Sequence, residues 1–275
     1  MRALVLSGGS ALGAYQVGVL KYVAHHTSWT FDAVYGVSVG AINGGKLVMH
    51  HKHKLTEAVT ELEKMWIRLG EGGVYKRWFP FGMLHVLGKR RSLFDTSPLR
   101  ALIQKEFDPS KVSANGYSFA VGVTSWNSGK YKVVKHTNSK IEDYISASAA
   151  QPLAFPPVKI DGEWWVDGGI RNAVPVKDAL DAGADHLLLV LTEAPEMAFV
   201  AGDPASGVAV GERALAVLAH EVFQTDLETA RRGTTAEIIA IRPGVALLAD
   251  PLDFGVKQVR RLIQHGYEDV AQFLK

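Results

Sequence analysis

Short apolar runs alternate with helical repeats from the first residues of the chain. Residues 2–6 form an apolar run that ends near a pair of glycines, and residues 11–26 then place apolar side chains at helical spacing. The same order returns with a strand-like segment at 31–35, a turn at 36–40 and a helical segment from Ala41 onward. The pattern therefore predicts two successive strand-turn-helix units.

The alternation continues through the rest of the chain. Further helices are predicted at residues 55–69, 99–107, 207–232 and 254–275, and further strands at 117–124, 130–136, 163–166, 186–192 and 237–242. The turn residues Asn127, Ser128 and Gly129 predict an antiparallel pair of strands around them. Because alternating strands and helices are typical of layered domains, we expect an α/β fold with a mainly parallel central sheet. Residues 1–275 are expected to form a single domain, with 192–207 as a mobile loop.

Composition narrows the class of protein. A chain of 275 residues with 47% hydrophobic content can bury a large core, and its net charge of +2 gives no general attraction to nucleic acid. The lack of cysteine excludes disulfides, thiolate metal sites and a cysteine nucleophile. No apolar run reaches the roughly 18 residues of a membrane helix. Gly8, Gly9 and Ser10 interrupt the N-terminal apolar stretch, so we expect a cytoplasmic protein without a signal peptide.

Ser38 is the first candidate for chemistry. It lies in a Gly-x-Ser-x-Gly pattern, with Gly36 and Gly40 on either side, between a predicted strand and a predicted helix. In that context the glycines allow a sharp turn that exposes the serine oxygen at the start of the helix, the arrangement called a nucleophile elbow. The ordinary alternative is a glycine-rich turn in which Ser38 caps the helix.

A second glycine-rich turn follows the first strand. The segment at 8–13 reads Gly-Gly-Ser-Ala-Leu-Gly. Ser10 stands where a dinucleotide-binding fingerprint needs glycine, and no lysine follows Gly13 as a phosphate-binding loop requires. Two interpretations remain: an oxyanion hole made of backbone N–H groups, or a tight turn that packs the helix on the strand.

Asp167 is the candidate general base. It follows the strand-like segment at 163–166 and precedes two glycines, Gly168 and Gly169. A carboxylate at a strand end can approach a serine on a neighbouring strand. Taken alone, the pattern is also an ordinary Asp-Gly turn.

Several blocks occur together in a fixed order. They are GGSALGAY at 8–15, GVSVGA at 36–41, SAS at 146–148, FPPV at 155–158, DG at 161–162, DGG at 167–169 and NAVP at 172–175. In order and spacing this set resembles the patatin-like phospholipase family, from residue 1 to about residue 191. The resemblance implies a three-layer α/β/α sandwich and a Ser-Asp dyad without histidine, with Ser38 as nucleophile and Asp167 as base.

The resemblance also implies the remaining parts of the site. Backbone amides around Gly8, Gly9 and Ser10 would form the oxyanion hole, and the substrate would be a phospholipid or another acyl-ester lipid, with no cofactor or metal. The chain departs from the family pattern at Ser10, where a third glycine is usual, and at Leu12, where Lys or Arg is common. Ser10 can still donate its backbone N–H, whereas Leu12 removes a cation that could contact a negative headgroup.

Other interpretations of the same residues stay open. A Ser-Asp-His α/β-hydrolase would use a late histidine such as His265, but that residue falls in a predicted amphipathic helix, and Ser38 follows only one earlier strand. His50, His51 and His53 lack a nearby acid to complete a metal site, which favours a solvated helix end. A lipid acyltransferase and a catalytically silent binding module would carry the same sequence features.

A basic and aromatic segment at 75–91 is the candidate membrane contact. It contains no acidic residue. The expected membrane contacts are Trp78, Phe79, Phe81, Lys89, Arg90 and Arg91. Rings between cations suit the headgroup boundary of an anionic bilayer, so we expect peripheral membrane binding there. The alternative is an inserted helix that covers the core while its cations are solvated.

Overall fold

The structure is a computed structural model that describes residues 1–77, 91–204, 206–247 and 249–274. The described strands are β1 (Arg2–Leu6), β2 (Ala33–Val37), β3 (Lys76–Arg77), β4 (Phe94–Asp95), β5 (Ser118–Ser125), β6 (Tyr131–Lys135), β7 (Val158–Ile160), β8 (Glu163–Asp167), β9 (His186–Val190) and β10 (Glu237–Ile241). The described helices are α1 (Gly13–His26), α2 (Val39–Leu47), α3 (Leu55–Gly72), α4 (Ser97–Glu106), α5 (Pro109–Ala114), α6 (Ile141–Ser148), α7 (Val176–Asp181), α8 (Gly207–Arg231) and α9 (Val256–Phe273). Two short 3-10 turns lie at Ser10–Leu12 and Gly168–Ile170.

A central sheet of eight strands organises the described residues. Its order is β10-β9-β1-β2-β5-β8-β7, and β6 pairs with β5. The strands β10, β9, β1, β2 and β5 are parallel, while β6, β7 and β8 run antiparallel to their neighbours. The predicted mainly parallel sheet and the predicted antiparallel β5–β6 pair are both confirmed.

Alternate side chains of β1 show why the sheet is covered on both faces. Leu4 and Leu6 belong to one buried cluster, which includes side chains from α1, α2, α3, α4, α6 and α9. Ala3 and Val5 belong to a second cluster, with side chains from α7 and α8. Since successive residues of a strand point to opposite faces, the sheet lies between two helical layers. The three-layer α/β/α sandwich is confirmed.

The structure changes the predicted boundaries around Ser38. β2 extends to Val37 rather than ending at residue 35, and α2 begins at Val39 rather than Ala41. The predicted five-residue turn is therefore reduced to Ser38 itself.

The hydrophobic periodicity of the sequence did not predict three short helices. The helices α5, α6 and α7 have six, eight and six residues. Helices of this length are held by tertiary packing rather than by their own propensity, so a local pattern reveals them poorly. Across the described ranges, no helix combines the length and apolar character needed to cross a bilayer.

Candidate active site

Ser38 occupies a strained turn between β2 and α2. Its backbone has φ 56° and ψ −127°, a positive φ that is uncommon for any residue with a side chain. A methyl group on Gly36 would lie 2.4 Å from the carbonyl oxygen of Gly40, and one on Gly40 would lie 2.2 Å from the carbonyl oxygen of Leu6. Both flanking glycines are therefore required for the backbone to close the turn, as a nucleophile elbow demands.

Sheet register brings Asp167 to the same place. Val37, the last residue of β2, pairs with Gly122, and Asp167, the last residue of β8, pairs with Val123. Strand β6 pairs with β5 along one edge, over residues that also pair with β2 or with β8. Both β2 and β8 must therefore lie on the other edge of β5, where their last residues meet end to end. The carboxyl ends of the two strands therefore place Ser38 and Asp167 side by side.

The carboxylate of Asp167 is almost completely buried. The residue is 6% exposed, and burial raises its pKa to about 6, although a side-chain hydrogen bond with Ser38 and one from the Gly169 N–H oppose that rise. The Gly169 N–H donates to Asp167 Oδ1 over 2.8 Å. Since a raised pKa makes a carboxylate a stronger base, the environment favours proton transfer from the serine hydroxyl more than water does.

A buried serine supports the turn from behind. The backbone N–H of Ser38 donates to Ser148 Oγ over 2.9 Å, and that hydroxyl donates to the carbonyl oxygen of Gly122 over 2.7 Å. Ser148 is fully buried at the end of α6. Residues 146–148 form one block of the family resemblance, but no local pattern indicates a role for Ser148.

The loop at 8–10 lies against Ser38. A methyl group on Gly8 would be 3.4 Å from Ser38 Cβ, while one on Gly9, whose φ is 144°, would be 2.3 Å from Thr192 Oγ1. Ser10 also adopts a positive φ, of 52°. Thr192 holds the loop by donating its hydroxyl to the carbonyl oxygen of Gly8.

The three loop amides differ in their hydrogen bonds. The Gly8 N–H donates to the carbonyl oxygen of Ala173 over 3.2 Å, which occupies one of the three expected oxyanion donors. Among the hydrogen bonds of the described residues, none uses the N–H of Gly9 or Ser10. The N–H groups of Gly9 and Ser10 are therefore the more available donors for an oxyanion, and the oxyanion hole expected at residues 8–10 stays a prediction.

An apolar cleft of about 420 Å³ opens beside Ser38, and we call it the proximal cleft. Its described lining is Ser10, Ser38, Val39, Ile42, Trp66, Leu69, Val74, Leu99, Ala149, Gln151, Phe155 and Phe254. Nine of these twelve residues are apolar, whereas a phosphate or sugar ligand would need several convergent polar groups. The lining suits a hydrocarbon chain that ends beside Ser38.

The histidines considered as alternatives lie elsewhere. His265, on α9, is near Asp269 at 3.6 Å and its ring contacts Tyr15, while His220, on α8, pairs with Glu193 at 2.9 Å. Within the described ranges, no group of three or more His, Asp or Glu side chains is arranged to hold a metal ion. The side-chain partner of Ser38 that the structure supplies is thus a carboxylate.

Most of the expected membrane contacts lie outside the described residues. These are Trp78, Phe79, Phe81, Lys89 and Arg90. Arg91 is described, and its guanidinium stacks 4.1 Å from the ring centre of Trp164. Leu12, the other departure from the family pattern, is half-buried and packs against the core.

Comparison with known proteins relates most of the chain to one family. The sequence model of patatin-like phospholipases matches residues 4–180, which include Ser38, Asp167 and the loop at 8–10. Neuropathy target esterase sws of Drosophila melanogaster is 25% identical over 189 residues, which cover 68% of this chain and 12% of that protein. Patatin-like phospholipase domain-containing protein 7 of Mus musculus is 25% identical over 190 residues, covering 68% of this chain and 13% of that protein. The chain thus spans about an eighth of the length of these two relatives.

Two solved structures show a distant similarity over nearly the whole chain. VipD from Legionella pneumophila aligns with a TM-score of 0.46 and 13% identity, covering 99% of this chain and 66% of VipD. The type III effector protein ExoU aligns with a TM-score of 0.38 and 14% identity, covering 99% of this chain and 52% of ExoU.

Proposed function

The chain belongs to the patatin-like phospholipase family, and on that premise we propose that it hydrolyses fatty-acyl ester bonds of phospholipids or lysophospholipids through Ser38 and Asp167. The observation that carries this proposal is that the carboxyl ends of β2 and β8 meet on one edge of β5 and bring Ser38 and Asp167 together. A serine in a strained elbow lies next to a buried carboxylate, beside an apolar cleft. Each part alone has an ordinary structural explanation, but their combination fits nucleophilic catalysis.

In the first step, Ser38 Oγ attacks the carbonyl carbon of the ester while Asp167 accepts the hydroxyl proton. The carbonyl π electrons move to oxygen, and the amides of Gly9 and Ser10 are the donors proposed to hold that negative charge. Collapse of the tetrahedral intermediate breaks the bond to the alcohol oxygen, which takes the proton from Asp167 as it leaves. The fatty-acyl group remains as an ester on Ser38.

In the second step, water replaces the alcohol. Asp167 accepts a proton from the water as its oxygen attacks the acyl-enzyme, and the proton then passes to Ser38 Oγ as the acid is released. The apolar lining of the proximal cleft would hold the acyl chain during both steps. Peripheral binding to a membrane surface remains part of the proposal.

The experiment that tests this function combines labelling with product analysis. A fluorophosphonate probe should label the wild type at Ser38, and lysophospholipid and diacylphospholipid substrates should release free fatty acid. Ser38→Ala should lower turnover by about 10³-fold or more, because the covalent route is lost. Ser146→Ala is the matched control, since it removes another buried serine hydroxyl, one that donates to the Glu142 carbonyl.

Three outcomes would contradict the proposal: labelling at a different serine, near-normal turnover by Ser38→Ala, or no hydrolysis of any ester by the wild type. Product analysis with and without an added alcohol separates a hydrolase from an acyltransferase, because a transferase would form a new ester with the alcohol.

A further inference from the structure

A second pocket, also open to solvent, lies along the same helical layer. Its volume, counting the part that is open to solvent, is about 260 Å³, and we call it the distal cavity. Its described lining is Ile42, Gly45, Lys46, Met65, Leu102, Ile103, Glu106, Phe107 and Ile145. Ile42 is also part of the proximal cleft, so one side chain borders both spaces.

The two cavities follow each other along the same helices. On α2 the lining moves from Val39 and Ile42 in the proximal cleft to Gly45 and Lys46 in the distal cavity. Since an α-helix rises about 1.5 Å per residue, Lys46 lies about 12 Å along the α2 axis from Ser38.

The neighbouring helices show the same shift of about one turn. On α4 the lining moves from Leu99 to Leu102 and Ile103, and near the end of α6 it moves from Ala149 back to Ile145. Helix α3 contributes to both spaces. The agreement between these helices indicates one groove that starts at Ser38 and is interrupted at Ile42.

Charged groups border the far part of the groove. Lys46 Nζ lies 2.5 Å from Glu106 Oε2, and Arg68 reaches the other oxygen of the same carboxylate over 3.2 Å. Although burial raises the pKa of Glu106, its hydrogen bond with Lys46 and the charges of Lys46 and Arg68 keep that pKa below its ordinary value. The charges there are paired, so the rest of the lining presents mainly hydrocarbon to an occupant.

We propose that the distal cavity receives the methyl end of a long fatty-acyl chain, and that Ile42 separates short-chain from long-chain substrates. The proposal rests on the hydrolase function proposed above and names its substrate class. An acyl chain bound through Ser38 fills the proximal cleft first, passes Ile42, and buries its remaining methylenes against the distal lining. A short chain ends before Ile42 and does not reach the distal residues.

Two substitutions fill the distal cavity without touching the proximal lining. Leu102 is a half-buried residue in the lining of the distal cavity, so Leu102→Trp adds a larger side chain to that lining. Gly45→Ala is milder, because the new methyl group would lie 3.4 Å from Phe107 Cδ2 and 3.7 Å from Ile145 Cδ1, which are ordinary contact distances. Gln104→Trp is the matched control, since it places the same ring on an exposed position of α4.

The test measures kcat/KM of the wild type and the three variants on p-nitrophenyl butanoate, octanoate and dodecanoate, each below its micelle concentration. Leu102→Trp should lower the ratio of dodecanoate to butanoate activity by about 50-fold, the effect of leaving roughly three methylenes unburied. Gly45→Ala should lower it by about 4-fold, the effect of one methylene. Gln104→Trp should keep the wild-type ratio.

The outcomes separate this inference from the proposed function. Butanoate hydrolysis that depends on Ser38, together with a wild-type ratio in both distal variants, would overturn the inference and leave the function standing. If Leu102→Trp fails to fold, the ratio for Gly45→Ala decides. No hydrolysis of any ester by the wild type would overturn the function and this inference together.

Discussion

Asp167 and Asp226 both have raised pKa values, but their surroundings differ. Burial raises the pKa of each to about 6, against backbone hydrogen bonds that lower it. The Asp167 carboxylate meets the Ser38 hydroxyl beside an apolar cleft, whereas Asp226 Oδ2 accepts the backbone N–H groups of Ala173 and Val174 over 2.7 and 3.3 Å. A raised pKa therefore identifies a general base only when a reacting proton donor and space for a substrate lie beside it.

The surroundings of Asp226 are those of a structural network. Asp178, close by, accepts hydrogen bonds from Tyr131 at 3.1 Å and Asn172 at 3.0 Å. This network holds the segment whose Ala173 carbonyl accepts the Gly8 N–H. Asp226 thus contacts the candidate site only through the backbone, while Asp167 lies next to Ser38.

Replacing each aspartate by asparagine should separate the two roles most strongly. Asp167→Asn should lower kcat/KM by about 10³-fold, because asparagine is nearly isosteric but cannot accept the proton. Asp226→Asn should keep kcat/KM within about 10-fold, because an amide oxygen can still accept both backbone N–H groups. Steady-state kinetics on a short soluble ester measures both variants, and equal losses would contradict the different roles of the two aspartates.

Ser148→Ala tests how far the hydrogen bond to the Ser38 backbone matters for the position of Ser38 next to Asp167. The change leaves the buried Ser38 N–H and the Gly122 carbonyl without their shared partner, so we expect a loss of about 1–3 kcal/mol in the free energy of unfolding. Turnover should fall by about 10-fold or more, because the serine loses its fixed position. Ser148→Thr should recover part of both values, since it restores a hydroxyl. Turnover equal to wild type in Ser148→Ala would show that the elbow holds Ser38 unaided.

The pH dependence of activity should reflect the ionisation of Asp167 and not that of Asp226. The kcat/KM of the wild type should rise with pH and level off above about pH 6, because Asp167 accepts a proton only when ionised. Asp226→Asn should keep this profile. A midpoint near the ordinary aspartate pKa of about 4 would contradict the role of burial at Asp167.

The contribution of Asp167 to the stability of the fold should fall over the same pH range in which activity rises. Because the folded pKa of Asp167 is raised, the folded state binds more protons than the unfolded state between about pH 4 and pH 6, and the free energy of unfolding falls as pH rises. A shift of about two pKa units corresponds to roughly 3 kcal/mol. Chemical denaturation at about pH 4.5 and about pH 7 should show a smaller difference for Asp167→Asn than for the wild type.

The smallest effects are expected at the histidines. His265→Ala and His220→Ala should each change kcat/KM by less than about 3-fold, because their partners are Asp269 and Glu193 rather than Ser38. A histidine variant as inactive as Ser38→Ala would replace the dyad with a triad and return Asp167 to a structural role like that of Asp226.

Much of the fold could be predicted from short stretches of sequence. The strand-turn-helix order predicted the parallel sheet, and the antiparallel β5–β6 pair was predicted from its turn residues. The short helix α6, which carries Ser148, was missed because its eight residues depend on packing for stability. The glycine pattern at residues 8–10 also could not reveal that the Ala173 carbonyl accepts the Gly8 N–H, because that contact joins distant segments.

By itself the sequence determined the features that depend on neighbouring residues. The sharp turn at Ser38 follows from Gly36 and Gly40, because local sterics decide where a backbone can take a positive φ. Family resemblance then paired Ser38 with Asp167, but no local pattern contains their contact.

Only the tertiary structure decided how those parts combine. Strand register on β5 brings the ends of β2 and β8 together, and helix packing leaves the proximal cleft and the distal cavity open along α2. Burial of Asp167, which raises its pKa, likewise needs the complete sheet and its helical layers around it. The physical reason is that backbone propensity acts over a few residues, whereas register, burial and cavity shape depend on contacts between distant segments.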